Sequence, residues 1–322
     1  MLDQQKSVQL KILLSFAVIY VIWGSTYLAI RFAIETIPPF LMAGIRFTLA
    51  GSALFLWSSR TDRINPRSAE IRKSILVGLL LIVGGNGVLV WCEQYLPSGL
   101  AALILAIIPI WMVLLDSIFV VKKRPAGITI FGILLGVMGV ALLSGVDRSV
   151  LLATSQHGNS VFFYAFLLML AGLSWATGSL YSRTIISAAS LLKLISIQML
   201  GGGIFLIILG TTFGEWSQVN PENLSLRSIF SLIYLIFFGT LLTYSAYNWV
   251  LRKSTAAKVG TYAFFNPLVA VFLGWLLAGE PVTVKMLTGA FFILTAVLLV
   301  NQSQFFLKIL IRTQTRFFQK KL

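Results

Sequence analysis

Charge, cysteine and histidine are what this chain of 322 residues has least of. Only 11% of its residues are charged, against roughly 25% in an average soluble domain. The share of hydrophobic residues is 58%, with a mean hydropathy of +0.92. So little charge does not cover a water-facing surface, and an integral membrane protein is expected. One cysteine, Cys92, excludes an internal disulfide, and one histidine, His157, leaves no histidine pair for a metal. No zinc or haem framework is available, so no cofactor and no metal site are expected. Acids are the scarcer sign, 10 Asp and Glu against 25 Lys and Arg, which leaves a net charge of +15. A nucleic-acid binder would gather such an excess on a water-exposed groove. Here the basic residues sit between apolar runs, which argues against nucleic acid as a partner. A GxxxxGK[ST] stretch is also missing, and with it the phosphate loop of an ATP-driven machine.

What is present in quantity is long apolar sequence. A helix crossing a hydrocarbon core of about 30 Å needs ~20 residues. On that measure the first half predicts spans at 11–34, 38–57, 73–95, 97–121 and 126–144. The second half predicts them at 160–183, 190–213, 229–251, 255–279 and 283–301. The run after Lys11 has no small-residue cleavage site and reads as a retained first helix. Proline-marked turns, Ile37-Pro38-Pro39 and Leu96-Pro97-Ser98, separate the tightest pairs.

The basic residues set the expected orientation. With the amino terminus inside, the inner segments hold most of the 25, among them Arg60, Arg63, Arg67, Arg72, Lys122 and Lys193. The outer segments hold only Arg31, Arg148, Arg227 and Lys285, and Arg46 lies within a helix. Both termini are expected on the cytoplasmic side, lipid bilayer being the surrounding partner.

The chain also reads as written twice. A shift of 158 residues places Tyr244 on Asn86, Trp249 on Trp91 and Pro267 on Pro109. A shift of 152 places Trp175 on Trp23, Arg183 on Arg31, Gln198 on Arg46 and Gly203 on Gly51. Five spans per copy is an odd number, so the second copy enters the membrane from the opposite side. The expected fold is all-α and integral to the membrane: ten transmembrane helices in two inverted five-helix repeats. The repeats cover 11–144 and 160–301, with a short cytoplasmic segment at 1–10, an outer linker at 145–159 and a basic cytoplasmic tail at 302–322. Pro109 and Pro267 each lie inside a span and free the carbonyl four residues earlier, on Leu105 and Ala263. Lipid cannot solvate such a group, so both bends are expected beside a watery cavity or within the bundle, as gating elements.

Three stretches resemble the drug/metabolite transporter superfamily, and within it the EamA-type exporters of two five-helix halves. They are WGSTYLAIRFAIETIPPFLMAGIRF from Trp23, GNGVLVWCEQYLPSGLAALILAIIPIW from Gly85, and NPLVAVFLGWLLAGEPVTVKMLTGAFFILTAVLL from Asn266. The resemblance spans nearly the whole chain. It implies a central cavity lined by the third, fourth, eighth and ninth helices with their neighbours, and export of small metabolites, amino acids or drugs across a bacterial inner membrane. One departure is the end of the fourth helix, VKKRPAG, where the second half has AGEPVT with Glu280.

Candidate substrate-binding residues follow from polarity at membrane depth. Arg46, about 12 Å past Pro38 at 1.5 Å per residue, costs at least ~2.5 kcal/mol to bury. It either attracts an anionic group of the solute with its planar fork or serves as a clamp on Glu35, Glu93 or helix-end carbonyls. The aromatic-polar clusters are Trp23, Ser25, Thr26 and Tyr27 on the first helix, and Asn86 and Trp91 on the third. Tyr244, Tyr247 and Asn248 form another on the eighth, and Tyr262 and Asn266 on the ninth. Aromatic faces with sparse amides and hydroxyls suit an amphiphilic small-molecule substrate, although tryptophan and tyrosine also anchor helix ends at the interface. Glu93 reads as an outer-gate or proton-coupling carboxylate, or as an exposed helix-end acid, and Asp116 as an acid tied to the basic turn of Lys122, Lys123 and Arg124. Gly132 and Gly136 form a GxxxG step that serves packing within the chain or a homodimer face.

Overall fold

Every backbone N–H and C=O inside a hydrocarbon core has to be paired within the protein, which favours helices throughout. The computed structural model describes residues 2–96, 98–122, 124–144, 161–278 and 284–301, and among them it holds helices, turns and no strand. The linker at 145–159, the tail at 302–322, Pro97, Lys123 and Glu280 lie outside the described residues.

The first half contains α1 (Leu2–Ala33), α2 (Pro39–Thr61), α3 (Ser68–Cys92), α4 (Ser98–Leu105 and Ile108–Leu115, running on to Val120) and α5 (Gly127–Ser144). The second contains α6 (Val161–Arg183), α7 (Leu191–Thr212), α8 (Leu226–Lys253), α9 (Ala256–Gly260 and Tyr262–Ala278) and α10 (Val284–Asn301). Seven of these have the length and apolar composition of a membrane span, and shorter apolar helices complete the set. Local sequence explains the starts. Pro39 occupies the first turn of α2, where its missing N–H costs nothing. Ser190, Ser225 and Thr255 each accept a backbone N–H at the starts of α7, α8 and α9.

The two halves interlock rather than sit side by side. α1 packs on α8 and α9 of the second half, and α6 packs on α3 and α4 of the first. Equivalent helices meet across the centre, α2 on α7 and α5 on α10. The glycines show how closely. A Cβ on Gly44 would stand 2.9 Å from the Ile207 nitrogen, one on Gly51 2.9 Å from the Leu200 nitrogen, and one on Gly203 2.7 Å from the Thr48 nitrogen. Rising numbers on α2 thus meet falling numbers on α7. The equivalent helices run antiparallel, as inverted copies must.

Each helix of this central pair is capped by an acid that follows its partner. Glu215, just after α7, accepts the N–H groups of Phe40 and Leu41 at the start of α2, at 3.2 and 2.8 Å. Asp62, just after α2, accepts the Ser190 N–H at the start of α7, at 2.5 Å. A carboxylate at a helix amino end is favoured by both the free N–H groups and the helix dipole. The Asp62 carboxyl is held below the usual carboxylate range, chiefly by the Ser190 and Ile64 N–H groups, whereas burial pushes that of Glu215 up against its own backbone bonds. Beside Asp62, Lys193 is only 2% exposed and spends its ammonium on the Asp62 and Ile64 carbonyls and the Asn65 amide, at 2.9 to 3.0 Å.

Regular winding fails at matching places. Leu79–Gly87 of α3 and Leu235–Leu242 of α8 are π-helical, and the 158-residue shift brings the two segments into overlap. Such wide turns weaken the ladder and commonly mark functional sites. The GxxxG step is used inside the chain, since a Cβ on Gly132 would meet Val300 of α10 at 2.9 Å and one on Gly136 the Phe264 ring at 2.8 Å.

Replacing Gly203 with valine should force α2 from α7, because the neighbour is backbone and cannot turn aside. Overpacking of this kind costs about 1–3 kcal/mol. The expected result is a lower monodisperse yield and a lower unfolding temperature in detergent. Gly127→Ala, where nothing lies within 4 Å of the added carbon, should leave both unchanged.

Candidate functional site

The helices form a central, partly open cavity that takes side chains from both halves. α1 contributes Trp23, Thr26, Tyr27 and Ile30, α2 contributes Arg46 and Phe47, and α3 contributes Gly85, Asn86 and Leu89. From the other side come Ala171 and Trp175 of α6, Gly239 and Tyr244 of α8, and Tyr262 and Asn266 of α9, with Leu105 and Ile108 of α4 between them.

Aromatic rings from both halves stand in the wall, and several brace one another. The Trp23 ring meets Trp175 edge-on at 5.4 Å between centroids, Tyr262 at 5.0 Å and Tyr247 at 4.9 Å. Their polar ends are tied off outside the cavity's needs. Trp23 Nε1 donates to the Gly239 carbonyl and Trp175 Nε1 to the Tyr247 hydroxyl, both at 3.0 Å. Tyr247 is held in turn by Ser179 at 2.6 Å.

Arg46 and its repeat counterpart Gln198 reach the same helix one turn apart. Arg46 Nε donates to Thr240 Oγ1 at 2.6 Å, and Gln198 Oε1 accepts from the Tyr244 hydroxyl at 3.0 Å. Arg46 is 3% exposed, its guanidinium carbon lies 4.8 Å from the centre of the Phe47 ring, and its Nη1 has no hydrogen-bond partner among the described residues. The clamp expected on Glu35 is not made, because Glu35 pairs with Arg227. Nor does an ion pair join Arg46 to Glu93 among the described residues. Two more cavity residues carry a buried oxygen without a partner, Asn86 Oδ1 and Asn266 Oδ1. A buried polar atom left unpaired costs about 1–3 kcal/mol. The cavity therefore presents one cationic donor and two amide acceptors, framed by indole and phenol rings.

Eight of the sequence-predicted residues line this cavity: Trp23, Thr26, Tyr27, Arg46, Asn86, Tyr244, Tyr262 and Asn266. Others stand elsewhere. Ser25 faces a lateral groove and bonds Tyr234 at 2.7 Å. Trp91 meets Tyr95 edge-on and Tyr164 at a tilt, beyond the lining. Tyr247 sits behind Trp23 and Trp175, and Asn248 donates to the Tyr244 carbonyl at 2.9 Å. Glu93 is a buried rather than an exposed acid, 4% exposed, and neither of its oxygens has a hydrogen-bond partner among the described residues. Asp116 pairs with Arg183 of α6 at 3.6 Å. Trp175, Phe47 and Gly239 were not among the expected residues. Trp175 carried a signal all the same, because it is the repeat counterpart of Trp23.

The two prolines behave differently. α4 breaks at residues 106–107, ahead of Pro109, and Leu105, whose carbonyl the proline frees, lines the cavity. Pro267 remains inside Tyr262–Ala278, and α9 breaks earlier, at Thr261. Beside this break Gly260 lies against Pro109, with a Cβ there 3.1 Å from the proline Cα. Thr261 then satisfies the turn through the Lys258 carbonyl and the Tyr20 hydroxyl.

Known proteins share this architecture. The model of the EamA-like transporter family matches residues 10–145 and again 162–302. The chain is 34% identical, over 81% of each sequence, to the "Uncharacterized inner membrane transporter YedA" of Escherichia coli K12. It is 25% identical to a "Probable amino-acid metabolite efflux pump" of Salmonella typhimurium, over 86% of this chain and 90% of that one. A protein crystal structure at 14% identity superposes with a TM-score of 0.71, covering 90% of this chain and 96% of the other, and establishes the fold.

Gly85 makes the cavity's size testable. A Cβ there would stand 2.8 Å from Trp175 Cε3, so Gly85→Val should drive the indole inward and narrow the space. The expected outcome is an apparent KM for solute raised about tenfold, the equivalent of ~1.4 kcal/mol, with membrane abundance within about half of the parent.

Proposed function

The chain belongs to the EamA-like transporter family and is a multi-span membrane transporter for small molecules, and from that premise we propose that it is a secondary exporter working by alternating access. The cargo in this reading is an amino acid or a related amphiphilic metabolite or drug. The observation that carries it is the set of buried, unpartnered polar atoms on Arg46, Asn86 and Asn266 inside an aromatic wall. A carboxylate would take the free edge of the Arg46 guanidinium, and an ammonium would take the two amide oxygens. An apolar side chain would lie against Trp23 and Trp175. Phosphorylated sugars fit less well, because Arg46 is the one cation among the described lining residues.

The membrane is the inner membrane, by the likeness to YedA, with both termini in the cytoplasm, by the distribution of basic residues. A reporter at either end that proved active on the outer side would overturn that orientation. Glu93 is the coupling group in this reading, a buried acid without a hydrogen-bond partner among the described residues, whose charge changes as the cavity opens to one side or the other. The inverted halves supply the two states, since exchanging their conformations turns one opening into the other.

Reconstituted protein should exchange a radiolabelled aromatic amino acid against the unlabelled compound across liposomes, without altering it chemically. Arg46→Gln should weaken solute binding about tenfold or more, the worth of one charge-assisted hydrogen bond, while folded yield is followed in parallel. Counterflow unchanged by this substitution would remove Arg46 from the binding site.

A further inference from the structure

Outside the central cavity, a lateral groove with about 960 Å³ of empty space opens along the seam between α1 and α8, bounded by Leu273 of α9. Its walls are apolar, formed by Leu28, Ala29, Phe32 and Phe230. At its deep end Ser25 and Tyr234 close the seam with their hydrogen bond. At its rim stands a pair of opposite charges, Arg227 on Glu35, with side chains 59% and 34% exposed. The guanidinium lies over the Phe32 ring, 4.7 Å from its centre.

The repeat-related seam, between α6 and α3, is built otherwise. Ser174 bonds the Leu80 carbonyl at 2.8 Å and stands against Gly84, while a Cβ on Gly178 would lie 2.9 Å from Leu80 Cβ. Small residues bring those two backbones together. The corresponding places on α1 and α8 hold Ile22, Thr26 and Leu242. There α1 and α8 also come close, a Cβ on Gly239 standing 3.0 Å from Thr26 Cγ2, and the groove is lined by other residues of the same two helices.

We propose that this groove docks a zwitterionic membrane phospholipid of the phosphatidylethanolamine kind. Its phosphate would sit on Arg227, its ammonium on Glu35, and an acyl chain between Phe32 and Phe230. Arginine has five N–H donors in a planar fork suited to phosphate, and one of them serves Glu35. A purely anionic headgroup would meet the Glu35 carboxylate, whereas a zwitterion finds a partner for each of its charges. From Phe32 to Ser25 is seven residues of α1, or ~10 Å at 1.5 Å per residue, so the apolar walls accommodate the upper part of one chain. This site is independent of which solute the central cavity carries.

Native mass spectrometry of the delipidated full chain, titrated with phosphatidylethanolamine or phosphatidylglycerol, tests it. One phosphatidylethanolamine per chain should bind about fivefold more tightly than phosphatidylglycerol, the size of one exposed ion pair. The Arg227→Gln, Glu35→Gln double variant should lose that preference, and Lys285→Gln, an exposed charge outside the groove, should keep it. Ser231→Trp fills the groove and leaves the ion pair in place, so it serves if the double variant does not fold, and it should abolish the one-to-one complex. Equal binding of the two lipids by the parent, or a preference that survives the double variant or Ser231→Trp, would overturn the proposal.

Discussion

Where α2 crosses α7, backbone meets backbone, and the rest of the molecule is arranged around that contact. Apolar side chains gain little by leaving lipid for protein, so helices in a membrane are held by close packing and by polar groups that need partners. Gly44, Gly51 and Gly203 provide the closeness, and the acid that follows each helix caps the other, Glu215 on α2 and Asp62 on α7. The same two helices carry Arg46 and Gln198, both of which reach α8. One crossing thus sets the inverted symmetry, fixes both ends of the central pair, and aims the most expensive side chain in the chain at the cavity.

The cavity is the place where the symmetry is relaxed. Arg46 is matched by a neutral glutamine, and the broken α4 by a proline that stays within its helix. The elements that depart from regular winding, the π segments of α3 and α8 and the breaks in α4 and α9, all belong to helices that contribute to the cavity. A bilayer tolerates irregular backbone only where protein or water covers it. The irregularity and the cavity therefore have a common cause.

Much of this was legible in the residues. Low charge and repeated apolar runs marked a helical membrane protein, and Trp23 on Trp175, Trp91 on Trp249 and Pro109 on Pro267 marked the duplication, because tryptophan and proline are rare enough here to align. The cost of burying Arg46 placed it in the interior, where it is found. Other features left weaker traces. The caps made by Asp62 and Glu215 join residues more than a hundred positions apart, and nothing local distinguishes them from ordinary loop acids. Lys193 looked like one more inner basic residue, yet its burial follows from three acceptors supplied by another loop. The break at Thr261 lies beside Gly260, which meets Pro109 from the other half, a contact that no single span contains. Glu93 looked like a helix-end acid because burial at a span's edge is decided by neighbouring helices.

The central claim is that two inverted halves expose one cavity to the two sides of the membrane in turn. Its most direct measurement is sided labelling of a cysteine at position 86 of α3, in a Cys92→Ala background, with a membrane-impermeant maleimide applied from either face. Alternating access predicts modification from both faces, with the ratio shifting when a solute gradient is imposed. Modification from one face alone under every gradient, or from neither, would contradict it.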